Sequence, residues 1–176
     1  MSEDLKNYIR SVKDFPKPGI MFRDITTLLK DPAAIKITLQ KLYDFSKDLK
    51  ISKVVGIESR GFIFGAMLAE KLDAGFVPIR KPGKLPAETE RKTYDLEYGQ
   101  DTIEIHKDAV KRGERILLHD DLLATGGTAV AAANLIEKLG GDVVQLSFII
   151  ELTFLNGRNK LKGYDVKSLI EYDSED

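Results

Sequence analysis

Cysteine and tryptophan are absent from the 176 residues, and histidine occurs only twice. Without thiols the chain can form no disulfide, no thiolate nucleophile and no cysteine-based zinc site. His106 and His119 alone are too few for a metal centre built from several imidazoles. Long apolar runs are missing too: the longest candidates, such as residues 62–69, are half the roughly 18 residues of a membrane span. The start Met1-Ser2-Glu3-Asp4 has neither the basic opening nor the apolar segment of a secretory signal. No membrane partner is therefore expected, and the expected location is the cytoplasm. An excess of one charge sign is lacking as well, with 27 Lys and Arg against 28 Asp and Glu and a net charge of -1. Bulk charge gives no attraction for nucleic acid, so an anionic ligand must be met by positive charge concentrated locally.

What is present suits one α/β domain over residues 1–176. Hydrophobic residues make up 43% and charged residues 31%, enough for a core and too apolar for disorder. Asp31-Pro32 reads as an N-cap with proline at the first helical position, followed by Ile35, Leu39, Leu42, Phe45 and Leu49 at helical spacing. Residues 53–57 form an apolar strand, Phe64, Met67, Leu68 and Leu72 mark a helix, and 75–79 form a second strand. Residues 80–92 show no periodicity and are expected to be a functional or mobile loop. Short strands are expected at 94–96 and 102–105, an apolar one at 115–119, a helix at 128–139 ending at Gly140-Gly141, and the longest strand at 143–150. Strand and helix alternating in this order imply a mostly parallel sheet flanked by helices. The last six residues hold four acids and no base, and are expected to be a frayed, solvated tail.

The chemistry concentrates in Asp120-Asp121-Leu122-Leu123-Ala124-Thr125-Gly126-Gly127-Thr128. A strand runs into two carboxylates and then into a Thr-Gly-Gly-Thr turn that opens a helix. Glycines there can take positive φ, and the first-turn N–H groups with flanking hydroxyls make a phosphate cradle. No Gly-Lys-Ser/Thr and no Gly-x-Gly-x-x-Gly is present, so neither a Walker loop nor a dinucleotide fingerprint is meant. Carboxylates beside a phosphate are tolerable when they accept sugar hydroxyls or face a cation, which suits a sugar phosphate. Elsewhere, residues 80–92 carry five bases against two acids, a local +3. Glu58-Ser59-Arg60-Gly61 is a second strand-to-helix turn fit for an anion.

The Asp120-to-Thr128 segment resembles the phosphoribosyl pyrophosphate signature of the type I phosphoribosyltransferases, in the form used by the adenine-specific branch. Phe15-Pro16-Lys17-Pro18-Gly19-Ile20-Met21-Phe22-Arg23-Asp24-Ile25, Gly56-Ile57-Glu58-Ser59-Arg60-Gly61-Phe62, Ile79-Arg80-Lys81-Pro82-Gly83-Lys84-Leu85-Pro86 and Leu96-Glu97-Tyr98-Gly99 resemble further segments of that branch, in its order. The resemblance implies the family's fold, with a small N-terminal hood at 1–30, a basic flexible loop and hairpin at 80–106 and the signature at 115–139. It implies a Mg2+-dependent transferase joining adenine to phosphoribosyl pyrophosphate to give AMP and pyrophosphate, acting as a homodimer.

Site roles follow residue by residue from the same resemblance. Thr125, Gly126, Gly127 and Thr128 hold the 5'-phosphate, Asp120 and Asp121 the ribose hydroxyls, and Ala124 belongs to the same phosphoribosyl-binding segment. Ser59, Arg60, Arg80, Lys81 and Lys84 meet pyrophosphate, Arg80 either in its own site or in a dimer partner's. A non-proline cis peptide is expected in the Ser59 loop. Glu97 is the acid/base group at adenine N7, with Tyr98 closing the lid. Met21, Phe22, Arg23 and Leu152 contact the base, although Arg23 could instead pair with Asp24 or Glu58. His119 stands where the family has Val or Ile, and reads as a packing variant rather than a base. Two rivals stay open: the same chemistry on a 6-oxopurine, and a non-catalytic purine-responsive regulator. The second lacks a basic helix-turn-helix segment.

Overall fold

Strands whose two faces are both apolar need cover on both sides, and that requirement organises this chain. The computed structural model describes residues 4–96 and 99–175. In chain order these form β1 (Arg10–Lys13), β2 (Met21–Asp24), α1 (Thr26–Leu29), α2 (Pro32–Ser46), β3 (Lys53–Ile57), α3 (Gly61–Lys71) and β4 (Gly75–Ile79). Then follow β5 (Thr89–Asp95), β6 (Gln100–His106), β7 (Arg115–Leu123), α4 (Gly127–Lys138), β8 (Asp142–Leu152) and β9 (Val166–Tyr172). The central sheet is parallel throughout, in the order β4-β3-β7-β8-β9. Two antiparallel ribbons, β1-β2 and β5-β6, stand apart from it.

Local signals account for the helix starts. Asp31 accepts hydrogen bonds from the N–H groups of Ala33 and Ala34, both at 2.9 Å, so α2 begins where the Asp-Pro pair indicates. Phe64 and Leu68 of α3 pack with Leu42 of α2 on one face of the sheet. On the other face lie Ala132, Leu135 and Ile136 of α4, joined by Ile103 and Ile105 of β6. Alternate residues of β7 serve the two faces, Leu117 one and Ile116 and Leu118 the other. All three are at most 1% exposed, and truncating any of them would cost about 2–5 kcal/mol. Thus β7 is the stiff platform of the site.

Because α3 leaves β3 toward one face and α4 leaves β7 toward the other, a crevice opens at the carboxyl ends of these neighbouring strands. Such a switch point is where open parallel sheets bind ligands.

Three segments depart from the sequence expectation. Residues 89–92 belong to β5 rather than to a loop, in register with β6 from Thr89 opposite His106 to Asp95 opposite Gln100. Strand β5 is largely solvent-facing, so no apolar periodicity marks it, whereas β6 buries Ile103 and Ile105. Strand β7 does not stop at His119 but runs on through both aspartates, since β8 keeps pairing with it as far as Leu123. The C-terminal segment supplies an edge strand, β9, and its last residues are tied down: the Glu175 carbonyl accepts a 3.0 Å hydrogen bond from Arg23. The expected frayed tail is therefore incorrect for Glu171 to Glu175. Its acidic side chains face solvent while its backbone bonds the fold.

Candidate active site

Pairing between β3 and β7 ends at Gly56 opposite His119, whereas β7 continues beside β8. The freed edge presents Asp120 and Asp121 to the crevice. Asp121 is 5% exposed and takes the Arg60 Nε at 2.5 Å. The Asp121 N–H donates to Asp120 Oδ1 at 2.8 Å. Burial, and then the negative charge of Asp121, push the Asp120 carboxyl well above the usual carboxylate range. Gly61, which opens α3, is needed for this closeness. A Cβ there would lie 2.9 Å from Asp120 Oδ1 and 3.1 Å from the His119 carbonyl oxygen.

The second turn follows at once. Gly126 has φ +84°, the left-handed conformation that the Thr-Gly-Gly-Thr turn calls for, and caps α4. It also abuts the 3-10 turn Gly157–Leu161, so that a Cβ on Gly126 would come 2.5 Å from the Gly157 carbonyl oxygen. That turn is braced by Arg158, whose guanidinium forks onto the buried Glu151 with two bonds of 2.7 Å. Asp120 to Ala129, with Arg60 and Phe148, line a cavity of about 220 Å3. The N–H groups and hydroxyls at the start of α4 give this cavity donors suited to an anion.

A neighbouring cavity of about 330 Å3 continues from it, reaching Ser59, Arg60, Arg80, Lys81, Tyr94 and Asp101 and sharing Asp120, Asp121 and Thr128. The Glu58–Ser59 peptide is cis, as the resemblance implies. The basic loop does not present bare cations to this cavity. Glu58 accepts from Arg80 at 3.1 Å, from Lys84 at 2.6 Å and from the Lys81 N–H at 2.7 Å. Burial opposes ionisation of Glu58, but hydrogen bonds from Lys84, the Lys81 N–H and Arg80 outweigh it and lower its carboxyl to about 2. The Lys81 ammonium is paired with Asp101. Tyr94 closes the wall, its hydroxyl 3.0 Å from Thr128 Oγ1 and 3.3 Å from Asp101 Oδ2.

The residues expected at the base do not form one cluster. Adjacent strand residues point to opposite sides, and β2 separates them accordingly. Phe22 lies under the Arg60 guanidinium, 5.1 Å from its ring centroid, and so borders the site. Arg23 faces the other way, 4.0 Å above the Tyr172 ring, with a 2.5 Å bond to Ser11 Oγ. Its suggested ion partners are engaged elsewhere, Asp24 with Arg10 at 2.5 Å and Glu58 with the basic loop. Met21 lines a separate hollow with Lys13, Asp14 and Gly19. Leu152 ends β8 opposite Tyr172. Glu97 and Tyr98, expected as acid/base group and lid, lie outside the described residues.

His119 is fully buried within β7, with Nδ1 3.0 Å from Ser147 Oγ, and burial lowers its pKa to about 4. It is absent from the residues that line the two cavities. Sequence reasoning passed over Glu58, Tyr94 and Asp101 as site residues. Alternation places Tyr94 on the inner face of β5, a signal available only once β5 is recognised as a strand.

A parallel five-stranded sheet, a crevice at its switch point and twin anion turns define a class of protein that handles a phosphorylated sugar. Residues 24–173 match the model of the phosphoribosyl transferase domain. The adenine phosphoribosyltransferase of Christiangramia forsetii is 60% identical, over 96% of this chain and 99% of that protein. The crystal structure of adenine phosphoribosyltransferase from Thermoanaerobacter pseudethanolicus is similar with a TM-score of 0.94 and 54% identity, covering 97% of this chain and 99% of that one. The Giardia lamblia enzyme, solved with 9-deazaadenine, has a TM-score of 0.92 and 40% identity over 97% of each chain. The chain belongs to the adenine phosphoribosyltransferase family.

Proposed function

We propose that the chain converts adenine and phosphoribosyl pyrophosphate to AMP and pyrophosphate in the joined cavities at the end of β3 and β7. One observation carries the assignment of roles: Ser59-Arg60, Arg80-Lys81, Asp120-Asp121 and Thr128, from four separate segments, line one cavity. Thr125 to Thr128 hold the 5'-phosphate through N–H groups and hydroxyls at the start of α4. Asp120 and Asp121 accept the ribose hydroxyls, with Asp121 oriented by Arg60. Ser59, Arg60, Arg80 and Lys81, which line that cavity, take the pyrophosphate, with Lys84 joining them on leaving Glu58, and the chain acts as a homodimer.

Departure of pyrophosphate leaves positive character at C1, which the N9 of adenine attacks from the opposite face. The protein contributes positioning, charge stabilisation of the leaving group and exclusion of water, which would consume the same substrate. Glu97 manages the proton at adenine N7, and Tyr98 covers the site. Phe22 packs the base beside Arg60 and Leu152 offers a further base contact, whereas Met21 and Arg23, turned to other surroundings, brace the hood rather than touch the base.

The donors fit a magnesium ion that arrives on the substrate. Among the described residues no group of three or more His, Asp or Glu could hold a metal. Magnesium is content with one or two carboxylates beside phosphate and water oxygens, and Asp120 and Asp121 offer those. When bound, the ion shares the neutralisation of the pyrophosphate charge. A cytoplasmic location agrees with a substrate too highly charged to cross a bilayer unaided.

Incubation with phosphoribosyl pyrophosphate, Mg2+ and each of adenine, hypoxanthine, guanine and xanthine tests the reading through pyrophosphate release. Release is expected with adenine. Silence with adenine, or faster release with a 6-oxo base, would overturn it. Glu97→Gln is expected to impair turnover while phosphoribosyl pyrophosphate still binds, and unchanged turnover would remove the acid/base role.

A further inference from the structure

The cavity assigned to pyrophosphate contains a carboxylate that no step of the reaction uses. Asp101, on β6, points into it with its side chain 27% exposed and pairs with the Lys81 ammonium, itself 42% exposed. An acid aimed at an anion site should weaken substrate binding unless its position serves the exchange of one anion for another. Asp101 has two further partners. Its Oδ1 accepts the Thr102 N–H at 2.8 Å, and Oδ2 lies 3.3 Å from the Tyr94 hydroxyl. If Lys81 leaves, the carboxylate is still held by a backbone donor and a phenol, so its desolvation remains compensated.

Glu58 offers the instructive contrast. Its side chain is 10% exposed, and it holds Arg80, Lys84 and a backbone N–H together, which makes it a fixed brace of the loop. Asp101 holds a single, partly exposed ammonium at the cavity surface. Tyr94 connects that pair to Thr128 at the phosphate cradle, so both ends of the substrate's binding track meet one hairpin.

We infer that Asp101 is an internal placeholder anion: it occupies Lys81 in the empty site and yields it to the pyrophosphate group of the substrate. The exchange keeps Lys81 extended into the cavity between turnovers and lets it return to Asp101 as pyrophosphate leaves, which limits product retention. This rests on the proposed role of Lys81 in meeting pyrophosphate.

The test is calorimetric titration of the whole protein with inorganic pyrophosphate and with phosphoribosyl pyrophosphate, each with Mg2+. Asp101→Asn keeps the shape, its carbonyl oxygen accepting the Thr102 N–H while its NH2 donates to the Tyr94 hydroxyl. It should bind both ligands about two- to fivefold more tightly, the scale of a partly exposed ion pair released from competition. Asp101→Ser, which lacks the amide, should show the same direction. A merely structural role would weaken binding instead, so unchanged or weaker affinity in both variants overturns the inference. Lys81→Ala should weaken both ligands and abolish the gain from Asp101→Asn in the double variant. A gain that persists without Lys81 also overturns it, because Asp101 would then act as a general charge. If Lys81→Ala leaves affinity unchanged, the assignment of Lys81 falls and the placeholder with it. If Lys81→Ala weakens binding while Asp101→Asn changes nothing, only the placeholder falls.

Discussion

The two walls of the active-site cavity are built on different physics. The sheet wall, formed by the turns after β3 and β7, rests on fully buried strand residues and on glycines packed against backbone atoms. The hairpin wall, β5-β6 with the loop before it, is anchored in the core through Ile103 and Ile105 of β6, and its cavity side is held by ion pairs, a tyrosine hydroxyl and the Arg80–Glu104 backbone bridge. Close packing is intolerant of a single added atom, whereas partly exposed polar contacts exchange readily with water or ligand. One wall is therefore suited to fixing the sugar phosphate, and the other to admitting and releasing ligands.

The sharpest way to break this contrast is Gly126→Ala. The methyl group meets both an unfavourable positive φ and the Gly157 carbonyl oxygen at 2.5 Å. A loss of about 3–4 kcal/mol is expected in denaturant unfolding, together with loss of phosphoribosyl pyrophosphate binding. A loss below about 1 kcal/mol would show the sheet wall to be pliable.

His119 gives the next largest effect, and it depends on pH. Its folded pKa is depressed to about 4 from the ordinary 6.5, so the unfolded chain binds the proton more readily. The stabilising contribution is fully present above about pH 6.5 and is lost as pH falls toward 4, reaching about 3 kcal/mol. His119→Val should flatten that part of the stability profile relative to the parent chain. Parallel profiles for the two proteins would contradict the buried neutral imidazole.

Tyr94→Phe probes the hairpin wall. Removing a hydroxyl that bridges Thr128 and Asp101 should cost about 1 kcal/mol and loosen the hairpin, read as faster amide exchange in β5 and β6 with β7 unaffected. Exchange rising equally in β7 would mean that the walls are not independent. Smallest of all is Lys138→Ala, which breaks the exposed 2.6 Å pair with Glu90 at the outer edge of the hairpin. Less than about 0.5 kcal/mol is expected by thermal denaturation.

Local pattern made much of the sheet wall legible. The Asp31-Pro32 cap, the apolar runs of β3, β4 and β8, and the Gly-Gly turn opening α4 each carry their signal within a dozen residues. The cis Glu58–Ser59 peptide followed from family resemblance rather than from any pattern in the residues. The hairpin wall was far less legible. Thr89 to Lys92 read as loop because a solvent-facing strand needs no apolar alternation, and β9 escaped notice because an edge strand tolerates polar residues. Arg23 and Phe22 looked like one cluster, and only the pleat of β2 sends one to Arg60 and the other to Tyr172.

By itself the sequence determined the alternating α/β plan, the family and the identity of the signature turn, because these depend on residue type and short-range spacing. Tertiary structure decided how charge is disposed. A loop that carries +3 in isolation meets Glu58 and Asp101, from residues 22 to 26 positions before its bases and 20 after, and becomes a wall of paired charges with a remainder of about +1. Pairing across such separations is set by which strands become neighbours, and no local spacing encodes it.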